Sequence, residues 1–474
     1  MKKYISKAFI LLLMAGTTGF FSCAKEEDDT NPTPVPTDEF VILTGDLPTQ
    51  TLDASKKYLL KGYAFVQSGQ TLTIPAGTII FGDKASKGTL VINRGGKIQA
   101  EGTAQKPIIF TSKLGPGERD KGDWGGIIIL GNANVNQANT PIEGVSPAVN
   151  FGTFNSSAND AESSGTLKYV RIEYAGIALS PNNEINALTF GGVGSGTVVE
   201  NVQVSYSGDD AFEWFGGTVN CKNLIALGTW DDDFDTDFGY TGKVQFALSV
   251  RDPFYADQSG SNAFESDNDA GGTQAVPKTA PVFSNVTVFG PRHDSTSSIS
   301  ANYQHAAHLR RNTATSIFNS VITGFPIGLR LDGSSAMGNY TSGAGEIKNN
   351  LLISLGNRGA ARPFMGSDNN TPISTDSVKN YYLANNPAGF ISRTSQANYA
   401  ALGIDVNLFF SKNANYPLNP AFGVSSGVIS SGANFSHQKL SGSFFTPVAY
   451  HGAFGSTDWT DGWANFDPKN QTYP

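Results

Sequence analysis

Five aspartates fall within the seven residues Asp231 to Asp237, in the stretch GTWDDDFDTDFGY. Carboxylates at this density can serve as hard oxygen ligands for a cation or as acid and base groups. The stretch has relatives on both sides. NALTFGG and DDAFEWFGG precede it, and NAFESDND, AHLRRN and GLRLDG follow. Aligned on an apolar anchor, these segments place Leu188, Phe212, Phe234, Phe264, Leu309 and Leu329 in one column. Alternate residues of a strand face opposite sides. The next column, pointing outward, is therefore Thr189, Glu213, Asp235, Glu265, Arg310 and Arg330, and two residues on come Gly191, Phe215, Asp237, Asp267, Asn312 and Asp332.

Like charges stacked on neighbouring strands destabilise a sheet. Protonation, pairing with arginine, or a bound cation could each offset the acidic ladder. Glu265 with Arg310 is the expected ion pair if those coils stack. Ca²⁺ is the candidate cation, with Glu213, Asp235, Asp237, Glu265 and Asp267 as its ligands. A salt-bridged, purely structural ladder and a Ca²⁺ site both remain open. Asn186, Asp210, Asp232 and Asn262, two residues before each anchor, read as a turn ladder, because Asn and Asp tolerate left-handed backbone. Trp214 is expected to point inward, while Phe215, Tyr240 and Tyr255 are candidates for exposed rings that either form a platform for sugar or, as the alternative reading, shield the turns. His305 and His308 form an H-x-x-H pair with no evident third ligand. Cys221 reads as a packing residue.

The elements that would hold these residues are short strands. Runs rich in Val, Ile, Thr and Phe recur between Gly and Asn, as in QTLTIPAGTIIFG and DWGGIIILGNANV, and long helical patterns are almost absent. The anchors are spaced by 24, 22, 30, 45 and 20 residues, which describes a basic coil with loop insertions. Each coil can bury its face only against its neighbours. The expected fold is all-β: a right-handed, single-stranded parallel β-helix over residues 40–379. Open solenoid ends need covering. Residues 380–474, where the repeat fades into Pro-, Gly- and Trp-rich sequence, are expected to cap one end, and the first residues from Phe40 to about Leu60 the other.

GTLVINRGGKIQAEGTAQKPIIFTS, GDWGGIIILGNA, VSYSGDDAFEWFGG and the closing YHGAFGSTDWTDGWANFDP resemble the β-helix surface lipoproteins of Bacteroidota over nearly all of residues 40–474. That resemblance implies a surface location and an association with TonB-dependent outer-membrane receptors. SGDDAF is also similar to the double-aspartate rung of β-helix polygalacturonases. The next coil departs from them, with DDDFD where those enzymes carry Gly-His-Gly.

The N-terminus supports anchoring. Lys2, Lys3 and Lys7 precede an apolar run too short to span a bilayer. FFSC then resembles a lipobox, with residues 1–22 as signal peptide and Cys23 as the acylated first residue of the mature chain. AKEEDD resembles a surface-export signal, and the Pro/Thr-rich remainder of 23–39 reads as an extended tether. The net charge of −8 argues against nucleic acid as a partner.

The expected function is that of an outer-membrane, lipid-anchored, surface-exposed binding module for a glycan or nutrient, an adhesin, or an accessory to a TonB-dependent receptor. The binding residues would be Glu213, Phe215, Asp235, Asp237, Tyr240, Glu265, Asp267, Arg310 and Arg330. The alternative is a Ca²⁺-dependent polysaccharide lyase, or another polysaccharide-active β-helix enzyme, with Arg310 or Arg330 as base.

Overall fold

The strand-rich repeats stack in parallel. The computed structural model describes residues 40–180, 183–354, 362–392, 399–413 and 415–473. Cys23 and the residues expected to form the leader and the tether lie outside the described residues. Twenty-six strands form one continuous sheet that winds as a parallel β-helix.

One face of the helix carries the aligned segments. Strands Thr89–Ile92, Ile127–Leu130, Leu188–Val193, Phe212–Gly217, Phe234–Asp237, Phe264–Ser266, His305–Leu309, Ile327–Leu331 and Arg362–Met365 pair in that order. Leu188, Phe212, Phe234 and Phe264 are in register, as the pattern predicts. Their side chains point inward and are buried, and the rings of Phe212 and Phe234 stack with centroids 6.0 Å apart. Trp214 is likewise buried and stacks on Phe190 at 5.9 Å.

The other two faces share strands. Gly165–Glu173, Val198–Ser205, Asn220–Leu227, Lys243–Val250 and Val282–Phe289 pair in succession. Each bends at one left-handed residue: Tyr169, Asn201, Asn223, Phe246 and Asn285, with φ between 50° and 61°. Asparagine adopts this conformation at low cost, so the bend recurs at one position and turns a single strand into two faces.

Two expectations are corrected. The rung after Glu265 is His308, not Arg310, because Phe264 pairs with Ala307 and Ala307 with Leu329. Leu309 also points inward, so anchoring on it preserves the sense of each residue but slips the register by two. The coil repeat also continues past residue 380, since Phe390–Ser392 pairs with Leu351–Ser354. Helix Thr375–Asn385 covers the last coils with Val378 and Tyr382.

Tyr382 and Phe390, in the first part of the C-terminal segment, pack on Phe364 of the last described rung, whereas residues 415–473 lie elsewhere. They run back along one flank as a strap. Asn319 bonds to the backbone of Asn434, Gln245 to both backbone groups of Thr446, and Gln203 to both of Asn465. Trp463, Phe466 and Phe422 bury a second apolar cluster against Ile225, Leu248 and Val321. At the other end Val41–Leu47 is itself a paired strand of the stack, with Val41 and Ile42 exposed.

Candidate functional site

The acidic ladder opens into a cleft of about 770 Å³ at the turns that enter successive strands. Asp209, Asp210 and Glu213 come from one coil, Asp231, Asp232 and Asp235 from the next, and Glu265 from the third. Turn residues occupy this position because each coil must reverse there, and Asp and Asn satisfy the backbone of the following coil. Asp210 Oδ1 accepts the amide of Asp232 at 2.7 Å, Asp232 Oδ1 accepts that of Asn262, and Asn262 Oδ1 accepts that of His305 at 3.1 Å. The expected turn ladder is present at Asp210, Asp232 and Asn262, though without left-handed backbone, while Asn186 instead donates to Glu143 and Glu213. Two of its members, Asp210 and Asp232, are also cleft carboxylates.

Ligand atoms of three carboxylate groups lie within 4.8 Å of one another in each of three sets: Asp209, Asp210 and Asp231; Asp210, Glu213 and Asp235; Asp232, Asp235 and Glu265. Asp210 and Asp235 each belong to two sets. Burial, reinforced by neighbouring carboxylates, pushes Asp209, Asp210, Glu213, Asp231 and Asp235 well above the ordinary carboxylate range, and Asp232 to about 7. Glu265 is the exception. Burial alone would raise it, but a hydrogen bond from His308 and the charge of Arg310 hold it low.

The donor set is all oxygen and acceptor-only, which suits a hard divalent cation such as Ca²⁺. Asp231 supplies a further observation. Its Oδ2 accepts from Ser259 Oγ at 3.0 Å, while Oδ1 is buried with no hydrogen-bond partner. The residues present therefore fit divalent cations held by these overlapping sets, drawn from Asp209, Asp210, Glu213, Asp231, Asp232, Asp235 and Glu265.

Another part of the lining is cationic and aromatic. Lys121 Nζ sits 3.2 Å above the Trp230 ring, and burial lowers its pKa despite Asp120 and Asp257 nearby. Trp230 is held by its indole N–H donating to Asp257 Oδ1 at 2.8 Å. The Tyr255 ring stands edge-on to Trp230 at 5.9 Å, and its hydroxyl donates to Asp120 at 2.7 Å. Lys84 also lines the cleft, paired with Asp123 at 2.9 Å.

Several expected site residues lie elsewhere. Glu213, Asp235, Glu265 and Arg310 line the cleft; Phe215, Asp237, Tyr240, Asp267 and Arg330 do not. Asp237 accepts the amide of Phe238 at 2.6 Å. Asp267 is engaged by Arg310 Nε at 2.9 Å and Arg311 Nη1 at 2.6 Å. Phe215, expected outside, is buried between Phe151 and Phe238 under a loop. Tyr240, also expected outside, is fully buried in the core with its hydroxyl donating to Val219 O at 2.8 Å. Alternation alone cannot show that a loop covers an outward ring. Tyr255 is half-buried against Trp230 and does not line the cleft.

The expected pairing of Glu265 with Arg310 is present, since Arg310 bonds to both Glu265 and Asp267. Burial would lower its pKa, but these two carboxylates raise it, so its guanidinium is poorly suited to accept a proton. Arg330 is paired with Asp332 at 2.8 Å and Asp368 at 2.9 Å. Both arginines, expected as alternative bases, are thus engaged by carboxylates. Lys121 and Glu143 were missed because each reaches the cleft from a loop with no repeat of its own. Asp209 and Asp231 were legible only as the double and triple aspartates of SGDDAF and WDDDF.

A family model described as a pectate-lyase-like β-helix domain matches residues 45–389. No curated protein and no solved structure gives a significant match.

Proposed function

As the chain belongs to the pectate-lyase-like β-helix domain family, we propose that it binds an acidic polysaccharide through divalent cations, Ca²⁺ foremost, held in the cleft. One observation carries this reading: overlapping carboxylate groups, joined by Asp210 and Asp235, share their cleft with Lys121 and Trp230. So many buried carboxylates cannot all be ionised without counter-charge. A bound cation supplies that charge and keeps coordination positions for a uronate carboxylate. Lys121 offers a second positive group, and the half-buried Trp230 an apolar surface. Anchoring of the chain through acylated Cys23 would place this cleft at the outer surface of the outer membrane, where a TonB-dependent receptor could take up what it holds.

The test is calorimetric titration of the chelator-treated protein with Ca²⁺, followed by a polyuronate. Saturable Ca²⁺ binding, lost in Asp235→Asn, with polyuronate binding that requires Ca²⁺, is the expected result. Absence of Ca²⁺ binding would remove the proposal.

A second reading, elimination from a uronate, is favoured by one feature. Lys121 lines the cleft, and burial lowers its pKa from the ordinary lysine range, the direction that favours an amine as proton acceptor. Lys121 would take the C5 proton, the electron pair would form the C4–C5 double bond, and the leaving oxygen at C4 would take a proton from one of the raised-pKa carboxyls. Ultraviolet absorbance of the unsaturated product, abolished in Lys121→Ala, is its signature. Binding without product leaves the first reading alone.

A further inference from the structure

We propose that Arg119 is a positioning residue: it fastens the last residues of the chain to the loop that carries Lys121, so that the C-terminal strap sets one wall of the cleft. The inference rests on the cleft being the binding site proposed above.

The loop between strands Ile108–Ser112 and Ile127–Leu130 contains KLGPGERDKGD. Its glycines, Gly115, Gly117 and Gly122, leave it little intrinsic rigidity, and it makes no strand pairing. Arg119 lies within it and is 3% exposed, rare for a residue with so polar a head. Its fork is spent on backbone carbonyls. Nε donates to Leu114 O at 3.0 Å, closing the loop on itself, and Nη1 donates to Pro468 O at 2.8 Å and Gln471 O at 2.7 Å. Gly117 N donates to Lys469 O at 2.8 Å. Arg119 also lies 4.8 Å from the centre of the Tyr473 ring.

The tail is itself fixed to the β-helix. The Tyr473 hydroxyl lies 2.7 Å from both carboxylate oxygens of buried Glu173. Glu173 O accepts the indole N–H of Trp124 at 2.8 Å, which returns the connection to the end of the same loop. Lys121 stands two residues from Arg119. Beyond it the loop is pinned by Asp123, which accepts from Ser112 Oγ at 2.7 Å and from the amide of Asp120 at 2.9 Å. Residues 468–473 thus supply backbone acceptors to a loop that has no strand partner of its own. A ligand needing Lys121 in place would otherwise pay for ordering this loop.

The experiment uses the full mature chain with Arg119→Ala, Lys121→Ala and the double variant. Hydrogen exchange is followed across residues 113–123, and Ca²⁺ and polyuronate titrations are run on each. Arg119→Ala is expected to speed exchange in 113–123 while the strands stay protected. It is expected to weaken polyuronate binding about tenfold, the loss of charge-assisted bonds of this kind, and to leave Ca²⁺ affinity unchanged. Added to Lys121→Ala it should weaken binding no further, because both changes remove one contribution. A general structural role would lower Ca²⁺ and polyuronate affinity together, and additive effects would likewise overturn the inference. Unchanged exchange in 113–123 overturns it whatever the protein binds. Failure of the wild type to bind polyuronate, with faster exchange in the variant, would remove the proposed ligand and keep the clasp.

Discussion

Asp233 and Arg251 form an ion pair in which neither side chain reaches solvent, with Nη1 and Oδ1 2.7 Å apart. Asp233 also accepts from Ser249 Oγ, and Arg251 Nη2 donates to Asp231 O at 2.7 Å. One aspartate of the DDD triplet is thus turned away from the cleft and ties its turn to the strand that follows. Removing one partner strands a buried charge, which costs about 3–5 kcal/mol. Asp233→Ala and Arg251→Ala should each show that loss in urea denaturation. The double variant should be less destabilised than the sum of the two; additive losses would mean that the charges do not depend on each other.

Arg310 holds a different position, with about a quarter of its side chain exposed. Arg310→Ala leaves Glu265 and Asp267 without their main counter-charge. The expected cost is about 1.5–3 kcal/mol, and Glu265, now held low by Arg310 and His308, should titrate higher. Carbon-detected NMR titration of the Glu265 carboxyl checks the second point independently of the first.

Stability should depend on pH in a direction opposite to that of most proteins with paired carboxylates. Burial and neighbouring acids raise Asp209, Asp210, Glu213, Asp231 and Asp235, place Asp232 at about 7, and with the Asp267 charge bring Asp237 to about 8. In the unfolded chain these groups titrate near about 4. Between those limits the folded state holds more protons, so stability falls as pH rises. Thermal melts of chelator-treated protein should give a lower midpoint at about pH 8 than at about pH 5. A midpoint that rises over this range would contradict the assignment.

Divalent cations should reverse that loss. Ca²⁺ takes the place of the protons, so its affinity should increase with pH. At a free concentration about a hundredfold above Kd it should stabilise the fold by about 2.7 kcal/mol. Asp235→Asn, which removes charge shared by two carboxylate sets, should abolish most of this gain while melting at least as high as wild type without Ca²⁺.

Much of this architecture follows from local pattern. Alternation within FEWF, FDTD and FES is enough to put Phe212, Phe234 and Phe264 inside and Glu213, Asp235 and Glu265 outside, because a strand has a period of two whatever surrounds it. Coil spacing is enough for a solenoid, because an unstacked coil cannot bury its own face. The acidic character of the cleft was legible for the same reason.

Which charges meet was decided by the tertiary structure. The 45 residues between Phe264 and Leu309 hide the point at which the next coil begins, so that His308 rather than Arg310 continues the rung. Lys121 meets Trp230, Glu143 meets Asn186, and Arg119 meets Pro468 across 109, 43 and 349 residues of chain. Periodicity reports only a residue's immediate neighbours along a strand and across a stack. The path of a loop is set by what it packs against, and for this cleft that partner lies far away in the chain.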